Sequence, residues 1–225
     1  MRRLGIIASS GGSAFAAAQA LLASHARHAF VGVVVDRACG FEKVAQCMAI
    51  PSTRVPWSGE EAFSTAALER LQSFGADTCL LFFTRRVTAP LLGSMPVWNI
   101  HKSMLPAFQG AGTAAKVVAA GVRMCGATLH EAIEQIDSGR ILAQVCSPLP
   151  FGSGIEQVRH VAYLHAVYLT LMAAEFARLD LVGSDAPGGN LPLAPSACPA
   201  LPDRALASSF QSWASRSCPS VVFHG

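Results

Sequence analysis

Short apolar runs alternate with longer stretches of Ala, Leu, Gln and charged residues, and the alternation predicts strands interleaved with helices. Leu4 to Ala8 is an unbroken apolar run that stops at Ser9-Ser10-Gly11-Gly12-Ser13, and Ala14 to His28 carries no helix breaker, so strand, glycine loop and helix follow one another. Phe30 to Val35 repeats the strand pattern and ends at Asp36, after which Glu42 to Met48 reads as a short helix before Pro51 and Pro56. Glu60 to Phe74 is a further helix and Thr78 to Phe83 an apolar, aromatic central strand. Val97 and Trp98, after Pro96, start a short buried strand that breaks into a loop at Asn99 to Pro106. Ala127 to Ala132 and Arg140 to Val145 bracket Asp137-Ser138-Gly139 as a hairpin-like return, and Ile155 to Leu179 closes the pattern as a long helix behind Gly152-Ser153-Gly154.

This order predicts an α/β fold: a doubly wound, mostly parallel sheet with helices on both faces. Ligands gather at the carboxyl ends of such strands, so the loops Ser9 to Ser13, Phe83 to Thr88 and Asn99 to Pro106 are expected to converge. Beyond Leu181 the composition shifts to Gly, Pro, Ser and Ala, as in Ala186 to Pro195, which cannot hold a regular element. The expected division is a main domain at 1–181 and a tail at 182–225, with a short helix over Arg204 to Trp213 docking Phe210 and Trp213.

Composition narrows the function classes. Of 225 residues, 52% are hydrophobic and 14% charged, so the chain is able to bury a core and disorder over most of its length is excluded. A net charge of +3, with its Lys and Arg scattered, offers no nucleic-acid groove, which leaves a small neutral or mildly anionic partner. Seven cysteines without C-x-x-C spacing indicate neither a disulfide framework nor a metal site, and they read as reduced thiols of a cytoplasmic protein. The apolar run at the start is cut at Ser9, and Val161 to Ala174 falls short of the roughly 18 apolar residues of a span, so no membrane segment is expected.

The chemistry-bearing stretch is Asn99-Ile100-His101 with Asp137 behind it. Residues two apart on a strand share a face, so Asn99 and His101 aim at one side where the strand ends. An amide and an imidazole there supply donors for a developing oxyanion, and a carboxylate supplies a proton acceptor, which together suit acyl transfer to an amine. Taken singly, such a His is usually a structural hydrogen bonder and Asp-Ser-Gly a turn. Gly11, Gly12 and Ser13 at a helix start present backbone N–H groups to an anion. Asp36 behind the second strand would suit a nucleotide ribose, but Ser10 to Ser13 lacks G-x-G-x-x-G spacing.

Asn99-x-His101, Ser103-Met104-Leu105-Pro106, Phe108-x-Gly110, Gly126-x-Thr128-x-His130 and Asp137-x-Gly139, in this order, resemble the folate-dependent formyltransferases. Within that family the chain is most similar to the glycinamide ribonucleotide transformylases, from about Leu4 to about Leu179. The resemblance implies transfer of a formyl group from 10-formyltetrahydrofolate, a co-substrate, to an amine, with Asn99, His101 and Asp137 at the catalytic positions. It also implies a pterin-contacting loop with Arg86, Val87 and Thr88, a second wall of Ile133, Glu134, Gln135 and Ile136, and His130 beside the catalytic set. Gly11, Gly12 and Ser13 would receive the acceptor, and Leu105-Pro106 would be cis. Ala14, Glu60 and Leu164 depart from the family on the acceptor side. They point to a small-molecule amine or hydroxylamine other than glycinamide ribonucleotide, with phosphoribosylglycinamide formyl transfer and a non-catalytic folate-binding protein as the alternatives.

Overall fold

The computed structural model describes residues 1–26, 29–180, 197–198 and 200–217. Its organising element is β1 (Leu4–Ala8), every residue of which is buried. Alternate residues of β1 feed opposite cores: Leu4 and Ile6 join one apolar cluster and Ile7 the other, as the period of two in a strand requires. β1 pairs in parallel with β2 (Phe30–Val35) on one side and β4 (Thr78–Phe82) on the other. β3 (Ser52–Arg54) adds in parallel beyond β2, and β5 (Val97–His101) beyond β4. The sheet then turns antiparallel through β6 (Met124–Glu131), β7 (Ile141–Pro148) and the two-residue β8 (Ala197–Cys198), giving the order β3-β2-β1-β4-β5-β6-β7-β8.

Helices cover both faces, which is what parallel strands without polar alternation demand. On one side α1 (Ser13–Ser24), α2 (Gly40–Cys47), α6 (Ile155–Leu179) and α7 (Arg204–Ser217) bury Phe15, Phe41, Leu169 and Phe210 in a single cluster. α5 (Thr113–Ala119) adds Val117 against Val158 and Val161 of α6. On the other side α3 (Glu60–Ser73) and the single turn α4 (Leu91–Ser94) pack Phe63, Leu71 and Leu91 over Ile7, Val34 and Leu81. The helix read over Arg204 to Trp213 is present and extends to Ser217. Phe210 is buried edge-on against Tyr168 at 5.1 Å between ring centroids, and Trp213 packs half-buried beside it.

The mostly parallel, helix-covered sheet is therefore as expected, and Phe30–Val35 and Ile155–Leu179 keep their limits. Four elements escaped the pattern, among them the two-residue β8 within the expected tail. β3 is a three-residue edge strand with Ser52 and Arg54 exposed, so no apolar run announces it. α4 and α5 are too short to show helical periodicity. α1 ends at Ser24 rather than reaching His28, because Ala26 takes a left-handed φ of 52° that stops a helix. Arg27, His28 and the linker read at Ala186 to Pro195 lie outside the described residues. No helix among the described residues is long and apolar enough to cross a membrane.

Candidate active site

Asn99 and His101 both come from β5, and the antiparallel register to β6 sets Asn99 opposite His130 and His101 opposite Thr128. Directly opposed residues on one face lie within side-chain reach, and Asn99 Nδ2 stands 3.1 Å from His130 Nε2. His130 Nδ1 lies 2.8 Å from the Glu131 carbonyl, so Nδ1 carries the proton and Nε2 accepts the Asn99 amide N–H. Burial, opposed by the Glu131 bond and by Asp137, holds the His130 ring below the usual imidazole range, so it is neutral at physiological pH. The neutral ring thus orients Asn99 and leaves that amide a second N–H.

Asp137 arrives from the connection between β6 and β7. The neck of that loop is closed by the Glu131 N–H to Arg140 carbonyl bond at 2.9 Å and by an Arg140–Glu131 ion pair at 2.7 Å. Asp137 takes a left-handed φ of 52°, which Asp tolerates better than most residues, and its carboxylate turns inward until only 7% is exposed. Oδ2 accepts the Gly110 N–H at 2.8 Å and lies 3.2 Å from His101 Nδ1, while Oδ1 lies 3.6 Å from His130 Nε2. His101 Nε2 faces the Phe108 carbonyl at 3.0 Å. His101 therefore presents one ring nitrogen to the Phe108 carbonyl and the other to the Asp137 carboxylate.

Behind this group Thr128 Oγ1 donates to the Ser103 carbonyl at 2.8 Å and accepts the Leu105 N–H at 3.0 Å, and Gln144 Nε2 approaches it at 3.1 Å. Leu105-Pro106 is cis, as expected, and Ala89-Pro90 is a second cis bond.

Asn99, His101, His130 and Asp137 line one hollow of about 720 Å³, within the usual size of small-molecule sites. Its walls include Trp57, Phe83, Val87, Ile133 and Ile136, with Arg86 at the rim. Ile133 and Ile136 are large apolar side chains left 47% and 53% exposed, which a ligand in the hollow would cover. Thr88, Glu134 and Gln135 are not among the lining residues. Thr88 donates its backbone N–H to Ser64 Oγ, and Glu134 supports the loop by accepting the Ala89 N–H through its carboxylate and an Arg86 N–H through its carbonyl.

Gly11, Gly12 and Ser13 also stay outside the lining. Gly12 sits at the N-cap of α1 with φ 78°, and the loop touches the hollow only through Ser9 Oγ, 3.0 Å from Thr84 Oγ1. Leu164 is fully buried among Val158, Val161 and Val117, on α6 and away from the hollow, whereas Glu60 does line it. Phe83 begins one of the loops expected to converge here, whereas Trp57 and Gln144 went unread: nothing in their local sequence separates them from loop and strand residues that pack elsewhere.

The pattern that defines the formyl transferase family matches residues 2–159. The trifunctional purine biosynthetic protein adenosine-3 of Bos taurus is 33% identical over 131 residues, covering 55% of this chain and 13% of that protein. The chloroplastic phosphoribosylglycinamide formyltransferase of Vigna unguiculata is 29% identical over 188 residues, covering 77% of this chain and 60% of that one, so the chain spans less than two thirds of either relative. A crystal structure of glycinamide ribonucleotide transformylase 1 from Symbiobacterium toebii superposes with a TM-score of 0.73 at 28% identity, over 79% of this chain and 88% of that one. With most of the chain matched and the same fold around the Asn99, His101 and Asp137 hollow, this protein belongs to the formyl transferase family.

Proposed function

We propose that the chain transfers the formyl group of 10-formyltetrahydrofolate to the amine of glycinamide ribonucleotide. The observation that carries the chemistry is the seating of one buried carboxylate, Asp137, between two imidazoles and beside an oriented amide, at the floor of an apolar-walled hollow. Asn99 donates its remaining N–H to the oxyanion that develops as the amine attacks the formyl carbon, where a fixed donor is worth most. Asp137 accepts the proton lost by the attacking nitrogen, His101 keeps that carboxylate in place, and the proton passes to N10 of the folate as the carbon–N10 bond breaks. Formylated amide and tetrahydrofolate result, with no redox change. Val87, Ile133 and Ile136 offer an apolar slot for the flat pterin, and Arg86 a cation at its mouth.

Glycinamide ribonucleotide has more support as acceptor than a different amine, because the chloroplastic relative and the solved neighbour both carry that activity in their names. Glu60, a carboxylate on the wall of the hollow, favours the second reading of another amine or hydroxylamine. The two separate in a purine-requiring strain that lacks its own glycinamide ribonucleotide formyl transfer. Growth on expression of this chain supports the first, and failure to grow with soluble protein present overturns it.

A further inference from the structure

We propose an anion-binding subsite formed by Arg85 and Arg37 over the buried carboxylate of Asp36, which takes the phosphate of the acceptor. Asp36 directly follows β2 and its side chain is fully buried. Neither of its oxygens accepts a hydrogen bond among the described residues, and what compensates them is two ion pairs, to Arg37 Nε at 3.4 Å and to Arg85 Nε at 3.2 Å. A carboxylate removed from water requires such pairing. One negative charge facing two guanidiniums leaves a positive charge over. The nearby Glu60 does not cancel it, since Arg86 lies 3.9 Å from that carboxylate.

Both guanidiniums are held from behind. Arg85 lies over the Trp57 ring with its central carbon 4.6 Å from the centroid, and it spends Nε on Asp36. Its two terminal nitrogens have no partner among the described residues, and Arg85 lines the hollow. Arg37 directs Nη2 to Thr84 Oγ1 at 3.3 Å, the same hydroxyl that meets Ser9 Oγ at the start of the glycine loop. Arg85, fixed at Nε with its terminal nitrogens free, has the geometry that binds phosphate or carboxylate in a bidentate way, and Arg37 adds its charge beside it.

Placement selects the acceptor as the source of that anion. Arg37 follows β2 and Arg85 follows β4, whereas Asn99 and His101 end β5, one strand further along the sheet than β4 and three further than β2. At about 4.8 Å per strand an anion between the two arginines lies roughly 5–14 Å from the reacting groups. A phosphoribosyl amide spans such an interval between its amine and its phosphate. The slot of Ile133 and Ile136 lies on the opposite side, toward β6 and β7.

This inference rests on the reading of glycinamide ribonucleotide as acceptor, and its test fails separately from that reading. Inorganic phosphate is titrated calorimetrically into the full chain and into Arg85→Met, Arg85→Lys and Arg37→Gln, and KM is measured for glycinamide ribonucleotide and for the formyl donor. Arg85→Met should weaken phosphate binding at least about tenfold and raise the acceptor KM by a similar factor, the scale of one charge-assisted hydrogen bond. Arg37→Gln, whose urea midpoint is measured alongside to show that the protein is folded, should weaken both by about threefold or more, and Arg85→Lys should recover part of the loss. Equal phosphate affinity in all four proteins, or a KM rise confined to the formyl donor, overturns the subsite. Arginine-dependent phosphate binding without formylation of glycinamide ribonucleotide by the wild type supports the subsite and overturns the acceptor.

Discussion

Replacing Asp137 by Asn isolates the charge at the centre of the site. The backbone there is left-handed at φ 52°, a conformation Asn adopts as readily as Asp, so the turn survives. An Asn oxygen still accepts the Gly110 N–H that now reaches Oδ2 at 2.8 Å. What vanishes is the proton acceptor 3.2 Å from His101 Nδ1, and with it the route by which the attacking nitrogen sheds its proton. A positioned general base contributes about 10²- to 10⁴-fold, so the barrier should rise by about 3–5 kcal/mol. Initial rates of tetrahydrofolate formation at saturating donor and acceptor should show that fall in kcat with either KM changed less than about threefold, while the urea midpoint moves little. A kcat within threefold of wild type, in protein with native unfolding behaviour, refutes the assignment of Asp137 as base.

Thr128→Val leaves the Leu105 N–H and Ser103 carbonyl without their shared hydroxyl in a buried setting, at a cost of about 2–3 kcal/mol in urea unfolding; a loss under 0.5 kcal/mol would mean that the loop after β5 is held otherwise. At Gly139 an added Cβ would collide with the Glu131 carbonyl, so Gly139→Ala should shift the Asp137 turn and lower kcat about tenfold or more, measured in the same rate assay. His165 is fully buried with Nε2 2.8 Å from Ser147 Oγ, and burial depresses its pKa from 6.5 to about 3. The unfolded chain binds this proton below about pH 6.5 and the folded chain does not until about 3, so stability is present above that range and falls with acidification by about 1.4 kcal/mol per pH unit within it. Urea midpoints of wild type and His165→Asn at pH 7 and 5 should show a steeper loss in the wild type, and parallel losses would contradict the buried neutral ring.

How far the sequence disclosed the molecule follows from what each signal measures. Long apolar runs such as Phe30 to Val35 and Ile155 to Leu179 name their elements because burial imposes the pattern locally. Ser52 to Arg54 became a strand only because β2 offers an edge, a tertiary fact that local composition does not hold. The meeting of Asn99, His101 and Asp137 was legible, since strand periodicity set the first two on one face and the hairpin return brought back the third. The contact from Asn99 to His130 needed the register between β5 and β6, and the aromatic wall needed Trp57 and Phe83, which stack on Phe63 of α3 from separate loops. The glycine loop was expected in the hollow and lies beside it, because convergence of loops at one sheet edge does not say which of them reaches the floor.

In the proposed reaction Asn99 and His101 at the end of β5 and Asp137 in the β6–β7 loop carry formyl transfer from folate to an amine. Incubation of the purified chain with 10-formyltetrahydrofolate and glycinamide ribonucleotide, with tetrahydrofolate and formylated product followed together, reads that reaction. Equimolar appearance of both, abolished or slowed about 10²-fold or more in Asn99→Ala, is the expected result. Binding of the folate with no turnover on glycinamide ribonucleotide, other amines or hydroxylamines would contradict it.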